Sequence, residues 1–269
     1  MDRYLLKNII IVILALVNLF LVASLFMRET ARSTARSRME EQMVILFAAD
    51  GITLEKDAIS REKPPAPVNM SRDLQREQAA AEYFLGENLR REDQGGGIYA
   101  YSGERGVALF REDGSFDIAG TLATEDAEKL CREFCKEFSC GEPAFISGGT
   151  EDTEGVAVCR YEENDVINAA VNFHLERGTL QTVSGVLLPE NGTETATERE
   201  ALSAPAALTA FQKMRRETGA VVSAVTGMSL CYRMQSSASN PMMLTPVWCI
   251  ETDTAMYYVN CITEAVTTG

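Results

Sequence analysis

Histidine and tryptophan are each represented once among the 269 residues, as His174 and Trp248. A lone histidine removes most catalytic dyads and triads and most His-based metal sites. Positive charge is also scarce, with 25 Lys and Arg against 39 Asp and Glu and a formal net charge of −14. The shortage is uneven. Residues 1–38 hold six basic and two acidic side chains, so the remainder holds 19 against 37 and carries −18. So acidic a body repels phosphate backbones, and no basic stripe offsets the repulsion, which argues against nucleic acid as a partner. There is no Gly-rich phosphate loop, no Gly-x-Ser-x-Gly elbow and no His-Glu-x-x-His. The carboxylates are spread over turns and exposed helix faces, and nothing selects a catalytic pair. The expectation is a protein that is not an enzyme and has no cofactor or metal. An apolar share of 46% with 24% charged residues is nevertheless the composition of a folded chain.

What is present begins with an uncharged run over residues 9–27, IIIVILALVNLFLVASLFM, in which only Asn18 and Ser24 are polar. At ~1.5 Å per residue it spans about 28 Å, which predicts a transmembrane helix over 9–27. The apolar part of a cleaved signal peptide is shorter, about 7–15 residues, so the run reads as a retained anchor. Arg3 and Lys7 precede it and Arg28, Arg32, Arg36 and Arg38 follow it; by count alone these would keep the C-terminal side in the cytoplasm. Asn8, Ala15 and Val22 recur at a spacing of seven, with Asn18 about 60° round the helix from Ala15. A small residue and amides on one side are what helix association in lipid uses, so Asn8, Ala15, Asn18 and Val22 are expected to form a partner-facing strip in the membrane.

After the short terminus 1–8 and the anchor, residues 28–70 read as a stalk and a linker stiffened by Lys63-Pro64-Pro65-Ala66-Pro67. Three segments then repeat one pattern, a helix followed by alternating strands. In 71–122 the helix opens at Ser71 as N-cap and lines up Leu74, Ala81, Phe84, Leu85 and Leu89, with strands at 98–101, 107–112 and 115–119 and a hairpin turn at Asp113-Gly114. In 123–190 Thr124 caps a helix whose Ala127, Leu130, Cys131, Phe134, Cys135 and Phe138 step by three and four, ahead of strands near 144–147, 155–161, 166–176 and 179–188. In 200–269 a helix starts near Ser203, carries Pro205 in its first turn, presents Ala207, Leu208, Phe211 and Met214, and stops at Gly219. Strands at 221–225, 229–234, 244–252 and 255–263 follow. The predicted class is α+β: an N-terminal transmembrane helix followed by tandem helix-plus-antiparallel-sheet modules.

Cys131, Cys135 and Cys140 are close in sequence, but their spacing does not match zinc pairs, no histidine is near, and two of them sit on the apolar helix face, so they read as packing residues. Cys159, Cys231, Cys249 and Cys261 fall on strands and read the same way, with a Cys249–Cys261 bridge between neighbouring strands left open. Seven cysteines, an odd number, give no paired framework. His174 lies in Val171-Asn172-Phe173-His174-Leu175, opposite the face that Val171, Phe173 and Leu175 share.

Two stretches carry a family resemblance. MDRYLLKNIIIVILALVNLFLVASL with ILFAADGITLEKDAI resembles the opening of the YycI/YycH group of regulatory proteins attached to the WalK-type histidine kinase of Gram-positive bacteria. ALTAFQKM, MSLCYRM and LTPVWCIETDTAMYYVNCITEAV resemble that group's closing module, with a Pro-x-Trp strand at Trp248 and a Tyr-rich strand at Tyr257 and Tyr258, and are similar to the PepSY fold. The resemblance implies a cytoplasmic N-terminus and an extracytoplasmic body, and a role as accessory regulator of a sensor histidine kinase beside a sister YycH-like regulator in cell-envelope homeostasis. A PepSY-type module that binds or inhibits a secreted peptidase, or binds a small ligand, is the alternative.

Overall fold

A computed structural model describes residues 3–123, 126–147, 152–196, 200–237 and 240–269. Its first element, α1, runs 47 residues from Arg3 to Ala49. Ile11, Leu14, Leu19 and Phe20 near its start are exposed, whereas Glu40 and Phe47 near its end are buried. Among the described residues no helix is long and apolar enough to cross a membrane. That finding corrects the transmembrane helix expected over 9–27, and with it the single-pass location in the cell membrane with its cytoplasmic N-terminus and extracytoplasmic body. The apolar run is not an element of its own. It is the leading part of a helix that continues unbroken through Arg28, Arg32, Arg36 and Arg38 and ends packed on protein.

Beyond α1 come the short strand β1 (Thr53–Leu54), a single 3₁₀ turn (Lys56–Ala58), β2 (Val68–Met70) and α2 (Leu74–Leu85). The linker before β2 is not free, since Pro64 and Pro67 are buried. Four strands follow, β3 (Arg90–Gly95), β4 (Ile98–Gly103), β5 (Gly106–Phe110) and β6 (Ser115–Ala123), and then α3 (Ala127–Glu137). The next run is β7 (Ala144–Ser147), β8 (Asp152–Tyr161), β9 (Asn164–Glu176), β10 (Thr179–Val186) and β11 (Gly192–Glu194). The chain closes with α4 (Ala204–Thr218), β12 (Ala224–Ser237), β13 (Asn240–Thr252), β14 (Met256–Asn260) and β15 (Val266–Thr268).

The strands do not form tandem antiparallel sheets, as expected, but one mixed 15-stranded sheet whose main order is β11-β2-β13-β12-β9-β10-β6-β5-β4-β3. The hairpins are antiparallel, β6 joins β10 antiparallel across the sheet, and there are two parallel contacts: Thr53 and Leu54 of β1 beside Ala224 and Val225 of β12, and Val166 of β9 beside Tyr232 of β12. Hairpin signals are local and say nothing about such distant pairings. The side-chain amide of Asn168 extends the second contact. It donates to Met234 O at 2.7 Å and accepts from Met234 N at 2.7 Å, standing in for one more peptide across 66 residues of sequence.

The helices pack where their apolar periodicity directs them. α2 is capped by Asp73, which accepts from the backbone N–H groups of Gln75 and Arg76, and not by Ser71; the aspartate sits one residue before the first helical turn, where a cap must be. The cap expected at Thr124 lies outside the described residues. α2 and α3 share one core, with Phe84 4.8 Å from Phe134 and Phe134 4.5 Å from Phe138 between ring centres. α4 begins after Ser203 with Pro205 in its first turn and ends at Gly219 in the left-handed conformation, φ 72°, as its punctuation predicts. It belongs to a second core with Phe47, Ile52, Trp248 and Val259. Asp113-Gly114 makes the expected turn from β5 to β6, with Gly114 at φ 81°. The hairpin β12–β13 serves both cores: Leu230, Trp248 and Ile250 lie in the second, and Tyr232, Met242 and Leu244 in the first.

Candidate functional site

The most elaborate polar junction lies at the foot of α1. The chain turns at Asp50-Gly51, where Gly51 has φ 76° and Ile52 N–H donates to Phe47 O at 3.0 Å. Gln212, Arg215 and Arg216 stand on one side of α4, at the i, i+3, i+4 spacing of helix neighbours. All three close on the Asp50 carboxylate: Gln212 Nε2 at 2.9 Å, Arg215 Nη2 at 2.7 Å and Arg216 Nε at 2.9 Å from Oδ2, with Arg216 Nη2 at 3.1 Å from Oδ1. The hydrogen bond from Arg216 foremost holds the Asp50 carboxyl below its ordinary value, against the opposing effect of desolvation. Beneath this clasp the rings of Phe47 and Phe211 stack at 6.3 Å.

A second set of contacts lies further up the helix. Glu40, 1% exposed, is flanked by Arg36 at 3.5 Å and by Arg61 at 3.3 Å. Lys56 Nζ reaches Ser37 Oγ at 2.7 Å and Glu41 Oε1 at 3.1 Å. Residues 56–61 thereby fold back along α1, and the last turns of that helix are fixed to the second core from two sides.

The residues singled out in the sequence distribute as follows. Asn18 and Val22 are exposed on α1; the side chains of Asn8 and Ala15 lie outside the described residues. Trp248 is fully buried and its Nε1 donates to Leu202 O at 2.7 Å, so it pins the α4 approach to the sheet. Cys231 and Cys249 form a disulfide between β12 and β13, and Cys261 is a free, buried thiol, so Cys249 bridges to Cys231 and not to Cys261. His174 is on the outward face and pairs with Glu154, Nδ1 to Oε1 at 2.6 Å. Cys131 and Cys135 are buried in the α3 core, while Cys140 is only partly so. Among the described residues no group of three or more His, Cys, Asp and Glu is placed to hold a metal ion.

Sequence reasoning missed the clasp. The basic spacing on α4 was its one visible sign, and its acceptor lies 165 residues away from Arg215. On another face of α4, the helix and the turn before β15 enclose an open cleft of about 650 Å³ with Leu202, Thr209, Lys213, Met214, Glu264 and Val266 on its walls.

No protein-family model matches this chain, and no curated protein matches it. Solved structures resemble it at low identity. An uncharacterised protein from Eubacterium rectale is 12% identical with a TM-score of 0.44, over 77% of this chain and 81% of that one. The YpeB C-terminal domain of Bacillus megaterium is 11% identical with a TM-score of 0.34, over 74% of this chain and 98% of that one. None of these comparisons singles out the YycI/YycH group. At these scores neither likeness carries an argument about fold or activity.

Proposed function

We propose that the chain is a regulatory binding protein, an accessory of a WalK-type sensor histidine kinase that acts together with a sister YycH-like regulator, in the manner of the YycI/YycH group it resembles. The observation that carries this reading is the contrast along α1. Its leading part leaves Leu14, Leu19, Phe20 and Val22 at least half exposed, while its foot is locked to α4 through Asp50. Large uncovered apolar surface marks a site for a partner. A helix held rigidly at one end transmits what happens at the other, provided the partner's two states bind it unequally; without that difference it shifts no equilibrium.

The test is co-purification and kinase autophosphorylation with the full chain. Replacing Leu14, Leu19, Phe20 and Val22 together by Gln should abolish association, and Asp50→Ala should leave association intact while changing autophosphorylation. Association and signalling unchanged in both variants would sink the reading. The cleft between α4 and β15 favours a second one, a PepSY-type module that binds a secreted peptidase or a small ligand there. Thr209→Trp, which fills that cleft, should then remove any change the chain causes in peptidase turnover.

A further inference from the structure

The thiols at the end of α3 form a group that the regulatory reading does not use. The helix ends in a Schellman turn: Phe138 is the C-cap, Ser139 takes the left-handed conformation at φ 58°, and Cys140 N–H donates to Cys135 O at 2.8 Å. In that motif the residue two past the cap is carried back over the last turn of the helix, which sets Cys140 against Cys135. From the other side β8 brings up Cys159, which forms an isolated antiparallel bridge with Cys140 and puts the two sulfurs 4.0 Å apart. Backbone bonds on both sides of the bridge, Gly141 N to Val158 O and Arg160 N to Ser139 O, each 2.8 Å, hold this register. Cys135 and Cys159 are buried, and Cys140 is partly exposed.

The surroundings carry charge of both signs. Cys135 and Cys140 line a cleft of about 310 Å³ together with Arg132, Lys136, Glu142 and Arg160; Arg132 pairs with Glu128 and Glu142, and Arg160 with Asp165. Arg76 of α2 approaches from the opposite wall: its Nη2 donates to Ser139 Oγ at 3.3 Å, it lies 5.4 Å from the centre of the Phe138 ring, and its Nε is buried with no hydrogen-bond partner among the described residues. Positive groups beside a partly exposed sulfur are the surroundings in which a cysteine is reactive, since the thiolate is the nucleophile. Cys131 and Cys261, both buried in apolar cores, have no such setting.

We infer that Cys140 is a peroxide-reactive thiol that Cys159 resolves, so that this end of α3 carries a reversible Cys140–Cys159 disulfide. The Cys140 thiolate attacks one oxygen of hydrogen peroxide; the S–O bond forms, the O–O bond breaks, and the departing hydroxide takes up a proton and leaves as water. The Cys159 thiol then attacks the sulfenic sulfur, the S–O bond breaks, and a second water leaves. One peroxide is reduced and two thiols are oxidised to one disulfide. The sulfur contacts with Cys135, foremost, and with Cys159, with Arg76 helping, pull the Cys140 thiol below its ordinary value, and the same contacts push the Cys135 and Cys159 thiols up. The division of roles, Cys140 attacking and Cys159 resolving, agrees with that split.

The experiment is differential alkylation with peptide mapping on the full chain before and after equimolar hydrogen peroxide. The expected result is loss of label at Cys140 and Cys159 only, a crosslinked peptide joining them, and recovery with dithiothreitol. Iodoacetamide should modify Cys140 roughly tenfold or more faster than Cys261 in the untreated chain, and Arg76→Gln should slow that reaction. In Cys159→Ser, a dimedone adduct should accumulate at Cys140. Oxidation spread evenly over Cys131, Cys135, Cys140, Cys159 and Cys261, a crosslink from Cys135 to Cys140, or alkylation of Cys140 no faster than that of Cys261 would each overturn the inference. Because the alkylation rates are read on the unaltered chain, the conclusion does not depend on any variant folding.

Discussion

Arg215 Nη2 lies 2.7 Å from Oδ2 of Asp50, a contact that joins the end of the first helix to the last turn of the fourth. Asp50 accepts from three side chains there, and Gln212 Nε2 also reaches Leu46 O at 3.5 Å. Asp50→Ala should therefore speed amide exchange over residues 43–52 and in the last turn of α4, and lower the thermal midpoint. Its pH dependence has a definite sign. The folded state holds the Asp50 carboxyl below its ordinary value, so the stability it contributes is complete above the unfolded value of ~3.9 and is lost as pH falls through the lowered folded value. The variant should lose less stability than the parent over that acidic window in urea titrations.

Arg72 is the second place where one removal has a large effect. It grips Glu77 with Nε at 2.6 Å and Nη2 at 2.9 Å, donates to the carbonyls of Gly97 and Phe110, and lies over the Tyr99 ring. Burial, the leading cause, already raises the Glu77 carboxyl, and Arg72 opposes it. Arg72→Ala leaves that carboxylate buried and unpaired, which should cost about 3–5 kcal/mol by urea unfolding. Adding Glu77→Gln should recover part of the loss; a double-mutant cycle measures how much.

Trp248, the sole tryptophan, gives a direct optical probe of the second core. Trp248→Tyr keeps an emitter but removes the indole N–H that Leu202 O accepts. Losing that part-buried hydrogen bond costs about 0.5–1.5 kcal/mol, and the change should appear as a lower urea midpoint with little change in slope.

Asn168→Ala should open the junction between β9 and β12. The Met234 amide then loses its acceptor and should exchange faster. The cost of the two amide bonds is about 0.5–1.5 kcal/mol each at most, since the site is exposed. Unchanged protection at Met234 would show that the amide is not an effective rung.

How much of this could be read from the chain follows the range of each signal. The limits of α4 were legible in Ser203, Pro205 and Gly219, because caps are local. The apolar face of α3 and the outward position of His174 were legible from periods of 3.6 and 2. The Asp50 clasp, the parallel contact of Val166 with Tyr232 and the approach of Cys159 to Cys140 were not, since each joins segments whose proximity is decided by the whole sheet. The apolar run at 9–27 illustrates the opposite hazard: its composition was conspicuous, but the element it belongs to is a longer helix that continues through charged turns to an apolar foot packed on the second core.

The hairpin β12–β13 divides its side chains between the two cores, and Cys231–Cys249 ties its strands together beside the second-core half. Neither core can melt without stripping one half of a ribbon whose other half is still packed. Their stabilities are therefore not separate quantities. The body of the protein should denature as a single cooperative unit, and an occupant of the cleft beside α4 should raise protection around Phe84 and Phe134, which it never touches.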